Sequence, residues 1–248
     1  MVLKYSFLSI FVIIVIVLGS NQQGASSPSP SEECADAVLI PEFTDLEHWN
    51  IATLQYNWGS NTYRMSRKVG DGSIGSLYTA VNNRTRGKVL VKTYTHKIAA
   101  FKKDLMMLQI LCGAPNIIRM VDMVRDPIYP NRPMAVLERL DATIPFHELS
   151  TVMNEREVKD YLFELLRAII YIHDSKRNML HRDIHPGTVV YDPTTQAVRL
   201  IDLHLMTYGH KGTRHSTSIG TRCYRAPELL LGYKKYNNKV CITLYITV

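Results

Sequence analysis

Residues 180–188 read Leu180-His181-Arg182-Asp183-Ile184-His185-Pro186-Gly187-Thr188, and the reading of the whole chain turns on them. Two shorter stretches follow in order, Leu200-Ile201-Asp202 at the end of a strand-like run and Ala226-Pro227-Glu228 within Thr221–Tyr233. Immediately upstream is a strong helix. Val158, Tyr161, Leu162, Leu165, Ile169 and Ile172 keep one apolar stripe, and Asn154 with Glu157 has the spacing of a capping box. Further upstream the pattern changes. Tyr63–Val69, Leu77–Val81 and the β-branched run Lys88–Tyr94 read as strands. A helix over 98–111 follows, carrying Ile98, Phe101, Leu105, Leu108 and Leu111, then short strands at Ile117–Met123 and Met134–Leu137. Strands dominate before about residue 140 and helix after it, which predicts two lobes hinged near Glu138–Asp141.

Between the first two strands stands Gly70-Asp71-Gly72-Ser73-Ile74-Gly75, followed by Leu77. A dinucleotide-binding turn with this glycine spacing must run from a strand into a helix, whose N-terminus holds the pyrophosphate. Between two strands the glycines instead let a hairpin close over phosphates with bare backbone N–H groups. On its own the motif reads equally well as a flexible hairpin turn. Lys92 ends the strand Val89-Leu90-Val91-Lys92, within reach of such phosphates; taken singly it is an ordinary surface lysine.

A glycine-rich hairpin, a strand lysine, His-Arg-Asp, a later aspartate and Ala-Pro-Glu, in that order, resemble the motif series of the eukaryotic protein kinases. Around them the chain is similar to the CMGC group, and within it to the catalytic (alpha) subunit of casein kinase II. The likeness is carried by Glu47-His48-Trp49-Asn50, Trp58-Gly59-Ser60-Asn61, Gly113-Ala114-Pro115-Asn116-Ile117-Ile118 and Val124-Arg125-Asp126-Pro127, and it runs from about Glu47 to Tyr236. The resemblance implies an α+β, bilobal kinase-like fold with a β-rich N-lobe at 63–138 and a partial helical C-lobe at 139–248. It implies ATP and Mg²⁺ as cofactors. ATP would lie against Gly70, Asp71, Gly72, Ser73, Gly75, Leu77, Leu90, Lys92, Leu137 and Glu138. Lys92 and Asp183 would be catalytic, Lys92 neutralising phosphates and Asp183 accepting the proton of a substrate hydroxyl. Asp202 would hold metal, with position 188 as its second ligand. Arg222 and Arg225 match two basic positions that select acidic substrate sites, while a third holds Ser218. The basic stretch after the third strand is thinned to His96, Lys97, Lys102 and Lys103. Acidic protein substrates and a casein kinase II regulatory (beta) subunit are the implied partners, with no nucleic acid and no stable membrane span.

The sequence departs from the family pattern at chemically telling places. The loop lysine beside the transferring phosphate is His185, and the metal-binding asparagine is Thr188, a shorter ligand. The glycine after the metal-binding aspartate is His204. The glutamate that should pair with Lys92 is Asp104, one methylene shorter. After Lys239-Val240 the family pattern vanishes within one residue, and Cys241–Val248 replaces the expected buried helix. Lys-Val-Cys is also what a splice donor read through as coding sequence would encode, so an intron boundary and a genuine short isoform are both open.

The rest of the chain sets the context. Its 248 residues are 46% apolar and 21% charged, a globular composition, and 29 basic against 22 acidic residues give a mild excess of +7 that suits polyanionic partners. Cys34, Cys112, Cys223 and Cys241 are isolated, which argues against a zinc module or a disulfide-built fold. Residues 1–20 have the form of a secretory signal peptide: Lys4, an apolar run from Phe7 to Leu18 broken only by Ser9, then Gly19-Ser20. A membrane anchor and a misplaced gene start are the competing readings. Residues 21–46 are expected to form a disordered linker and 47–62 an N-terminal segment. Asn83-Arg84-Thr85 is a glycosylation triplet in the expected turn Asn82–Lys88. The leader points to the secretory pathway, whereas the family likeness points to nucleus and cytoplasm. Two functions stay open: a protein kinase acting at acidic sites, and a catalytically impaired nucleotide- or protein-binding copy.

Overall fold

The computed structural model describes residues 62–94, 98–125, 133–141, 143, 148–149, 153–174 and 176–241. The expected leader, the linker and, apart from Thr62, the N-terminal segment lie outside these residues.

Strands β1 (Tyr63–Asp71), β2 (Gly75–Asn82) and β3 (Lys88–Tyr94) form an antiparallel meander. Helix α1 (Ile98–Ile110) follows, then β4 (Met120–Arg125) and β5 (Pro133–Leu137), completing a five-stranded sheet in the order β1-β2-β3-β5-β4. Alternation of side chains divides this sheet into two faces. Val91, Val124, Met134 and Val136 pack on one face with Ala80. Leu90, Met123, Ala135 and Leu137 face the other way, into the main core with α1. α1 is buried on several sides through Phe101, Leu105, Met106, Met107 and Leu108, so it lies wedged between the sheet and the lower lobe.

Helix α2 (Glu155–His173) carries the lower lobe. Its Asn154 side chain accepts from the N–H groups of Arg156 and Glu157 at 3.0 and 3.1 Å, and Glu157 Oε2 accepts the Asn154 N–H at 2.8 Å. Tyr161, Leu165, Ile169 and Ile172 of the expected stripe are buried, with Val158 and Leu162 packed at its margin. Beyond α2 come β6 (Met179–Leu180), the hairpin β7 (Val189–Asp192) with β8 (Ala197–Leu200), β9 (Thr207–Tyr208) paired to β6, and the short helix α3 (Pro227–Leu230).

Several expected boundaries move, two of them with a clear cause. β1 runs to Asp71, because its pairing with β2 extends to Asp71 opposite Ser76. β4 begins at Met120, not Ile117. Asn116 stands at φ 56°, which turns the chain. Ile117 then bridges in parallel to Leu200, Ile118 N–H donates to Leu200 O at 3.0 Å and Leu200 N–H donates to Asn116 O at 2.8 Å. This segment thus stitches the sheet lobe to the lower lobe. The turn at Asn82–Lys88 forms as expected, with Asn83 exposed and Asn82 Oδ1 accepting from Arg84 and Thr85. Among the described residues no helix is long and apolar enough to cross a membrane.

Candidate active site

The glycine stretch is the β1–β2 turn. Gly72 N–H donates to Gly75 O at 2.7 Å and closes it. Gly75 lies so close to β3 that a Cβ there would fall 1.8 Å from Thr93 O, so only glycine lets β2 and β3 pair at this point. Asp71 points outward: Lys68 Nζ at 2.6 Å and Ser76 Oγ at 2.7 Å hold its carboxylate, which makes it a brace of the hairpin. Ile74 tucks into the main core at 2% exposure, and Ser73 Oγ lies 3.3 Å from His204 Nε2. The hairpin tip is thereby fastened to the loop after β8. Leu77 and Leu90 are partly buried against the core and Leu137 is buried.

Lys92 reaches the same place from β3. Its Nζ lies 2.9 Å from Asp104 Oδ2 on α1 and 2.8 Å from Asp202 Oδ1. The shorter side chain of Asp104 therefore does close the ion pair. It is held at the lysine by two further donors, the Tyr94 hydroxyl at 2.9 Å and Leu203 N–H at 3.1 Å. Burial alone lowers the Lys92 pKa, but the two carboxylates more than offset this and raise it above its ordinary value. Asp202 moves the other way: burial raises it, and the charge and hydrogen bond of Lys92 lead the effects that together bring it below the usual carboxylate range. Asp202 stands at φ 63°, ψ 67°, and the 3-10 turn Leu203–Leu205 follows it at once. That turn puts His204 in the glycine's place, 9% exposed, with Nδ1 lacking a hydrogen-bond partner among the described residues; burial pushes its pKa down, which favours the neutral ring.

The loop after β6 holds Asp183. His181 is fully buried and pushed down to about 4 by burial. Its Nε2 lies 3.2 Å from Ile201 O and its Nδ1 3.4 Å from Asp183 N, which fixes Nε2 as the protonated nitrogen. Arg182, at φ 70°, donates from Nε to Leu205 O at 2.7 Å and from Nη1 to the Tyr236 hydroxyl at 3.3 Å. Asp183 Oδ1 accepts Thr221 N–H at 2.7 Å. Burial would raise the Asp183 pKa, yet His185 and the Thr221 N–H together bring it below the ordinary range, so it is ionised and able to accept a proton.

His185 stacks on Tyr224, with ring centroids 5.2 Å apart. Its Nε2 is 3.1 Å from Thr221 Oγ1 and 3.7 Å from Asp183 Oδ2. Gly220 and Thr221 escaped the sequence reading. A Cβ on Gly220, whose φ is +73°, would meet Arg182 O at 2.7 Å. The only signal was the Gly-Thr pair just upstream of Arg222, and it acts through backbone.

Several expected site residues are used differently. Thr188 is 2% exposed, and its hydroxyl lies 2.8 Å from Asp183 O and 3.0 Å from both His185 O and His185 N. It braces the main chain of its own loop, so it does not fit the role of second ligand to a divalent ion shared with Asp202. Glu138 spends its carboxylate on Arg119 N–H and Arg199 Nε, both at 2.9 Å, and its N–H on Arg119 O. A ligand at this hinge would meet main chain and not this carboxylate. Arg225 Nε donates to Gly220 O at 3.2 Å, which makes that arginine part of the scaffold, while Arg222 is exposed.

Nucleotide-cradling glycines, a lysine between two carboxylates and an ionised aspartate on a braced loop can together serve phosphoryl transfer. The model of the protein kinase domain matches residues 63–242, well over half of the chain, and so spans every one of these groups. The family works with ATP and a divalent metal, and this chain, with its β-sheet lobe above a helical lobe, belongs to the protein kinase domain family.

Proposed function

We propose that the chain transfers the γ-phosphate of ATP to serine or threonine hydroxyls of acidic protein substrates, in the manner of a casein kinase II alpha subunit. The observation that carries this reading is the junction at Lys92, whose Nζ bridges Asp104 and Asp202 within 3 Å of both. A lysine so placed, at the floor of a glycine-rich hairpin, can be handed from carboxylates to phosphate oxygens without leaving its strand. Asp183 then takes the proton of the substrate hydroxyl as its oxygen bonds to the γ-phosphorus and the bond to the ADP oxygen breaks. Thr221 N–H keeps the carboxylate aimed during that transfer. Exposed Arg222 supplies a positive charge beside the substrate hydroxyl's path. The likeness adds a regulatory subunit of the casein kinase II type as partner, and residues 1–20 add entry into the secretory pathway, with the nucleus and cytoplasm as the alternative location.

A second reading, an impaired copy that binds nucleotide without turnover, draws on Thr188 being a loop brace and on the Ser73–His204 contact that fastens the hairpin. Phosphate transfer to an acidic serine peptide, measured beside nucleotide binding, separates the two. Transfer that Asp183→Asn abolishes while nucleotide still binds supports the first reading. Binding with no transfer by the unaltered chain supports the second, and absence of both defeats each. Fusing residues 1–62 to a reporter tests location: cleavage and secretion are expected, and an uncleaved cytosolic reporter overturns it.

A further inference from the structure

We propose that Asp104, Asp202 and His204 form a binding site for a first-row transition-metal dication such as Zn²⁺ or Mn²⁺, distinct in its donors from an all-oxygen magnesium site. One ligand atom from each of the three lies within 4.8 Å of the others. Metal–ligand bonds of about 2.0–2.2 Å place tetrahedral ligand atoms about 3.3–3.6 Å apart, so the three side chains would have to draw together by rotamer changes to close the set. Acidic side chains near one another are common and prove nothing by themselves. The independent observation is His204. It is nine-tenths buried, its Nδ1 has no hydrogen-bond partner among the described residues, and that nitrogen sits 3.9 Å from Asp202 Oδ1. A buried imidazole nitrogen left bare is costly, and a metal ion satisfies it.

The other ring nitrogen fits the same assignment. Nε2 lies 3.3 Å from Ser73 Oγ, so with Nδ1 holding the lone pair Nε2–H donates to the hydroxyl. Metal-binding histidines are oriented in this way through their second nitrogen. Charge agrees as well. Two carboxylates face one ammonium at this junction, which leaves an uncompensated negative charge. Lys92 Nζ now occupies the seat between the carboxylates, so it competes with the metal and must swing aside. One imidazole nitrogen with two carboxylates favours Zn²⁺, Mn²⁺ or Co²⁺ over Mg²⁺, which prefers oxygen donors and keeps its waters. The same ion would staple the glycine hairpin, through Ser73 and His204, to α1 through Asp104. None of this depends on whether the chain transfers phosphate.

The test uses the full chain without nucleotide. Zn²⁺, Mn²⁺ and Mg²⁺ are titrated by calorimetry and thermal shift, and Co²⁺ by visible absorption. One equivalent of Zn²⁺ or Co²⁺ should bind, with Mg²⁺ at least about tenfold weaker. His204→Gly should weaken Co²⁺ binding by about 10-fold or more, and Ser73→Ala by a smaller factor. Lys92→Met removes the competing cation and should tighten binding, a gain that a misfolded variant cannot produce. Equal affinity for Mg²⁺ and Zn²⁺ overturns the proposal. So does a His204→Gly protein that binds Co²⁺ as before, or a sulfur-to-cobalt charge-transfer band, which would place the ion on a cysteine.

Discussion

At the scale of single residues, Asp104 shows what a motif cannot convey. Lys92, Asp183 and Asp202 were legible because each stands inside a recognisable string. Whether Asp104 reaches Lys92 depends on where α1 lies, and its carboxylate is held there by Tyr94 and Leu203, residues remote from the helix pattern. Asp104→Asn keeps the shape and removes the charge, leaving buried Lys92 with Asp202 alone. It should lower stability by about 1–3 kcal/mol in urea unfolding, whereas an exposed pair such as Lys159–Glu155 would register little. Histidines supply a second prediction. Burial pushes His173 and His181 down to about 4 from the ordinary 6.5. Both stay neutral in the fold, while the unfolded chain takes up protons below about pH 6.5. Their contribution is therefore fully present above that pH and is lost as pH falls toward about 4, each on the order of 3 kcal/mol at most. His173→Leu, which also removes a buried Nε2 without a partner among the described residues, should flatten that loss. Unfolding free energies measured on either side of the window read it directly. A slope unchanged by the substitution would show that His173 has no part in it. Thr188 and Gly220 were opaque for the opposite reason to Asp104: their work is done on backbone, and residue type hardly reports it.

At the scale of elements, legibility followed periodicity. α2 was readable because its stripe and its cap agree. Asn154 and Glu157 exchange hydrogen bonds across the first turn, and the same register buries Tyr161, Leu165, Ile169 and Ile172. Asn154→Ala removes two acceptor contacts and should cost about 1 kcal/mol. Thermal unfolding of the variant beside Glu157→Ala checks this, and the two losses should be less than additive because the box is reciprocal. The sheet was readable as strands but not at its edges. Ile117 and Ile118 have the β-branched character of a strand, yet the turn at Asn116 spends them on Leu200, in the lower lobe. A run of apolar residues states that a segment is buried; it does not state which partner buries it. Phe101, Leu105, Leu108 and Leu111 are buried as expected, but Met106 and Met107 are buried too, because α1 has neighbours on more than one side. A single-stripe reading undercounts such a helix.

At the scale of the whole molecule, the lobes meet through polar ties that converge on the nucleotide cleft. Lys92 of β3 holds Asp202, Asp104 of α1 accepts from Leu203 N–H, and Ser73 of the hairpin meets His204. These are the contacts that ATP and metal must rearrange, so they cannot be the permanent hinge. Glu138 can. Its carboxylate joins Arg119 N–H on one side to Arg199 of β8 on the other, away from the groups that would touch phosphate. Both side chains are mostly buried, at 17% and 24% exposure, so the pair is less screened than a surface bridge. Removing either partner leaves the other short of a charged hydrogen bond, at about 1–3 kcal/mol. A double-mutant cycle with Glu138→Ala and Arg199→Ala should return a coupling of about 1 kcal/mol or more. The coupling should persist when ATP is added, because nothing in the cleft's chemistry needs this carboxylate. By contrast, the coupling between Lys92→Met and Asp104→Asn should shrink with ATP present, as phosphate takes over the lysine. If nucleotide changes the Glu138–Arg199 coupling as much as the Lys92–Asp104 coupling, the hinge and the cleft are one cooperative unit, and the separation drawn here between permanent and exchangeable ties fails.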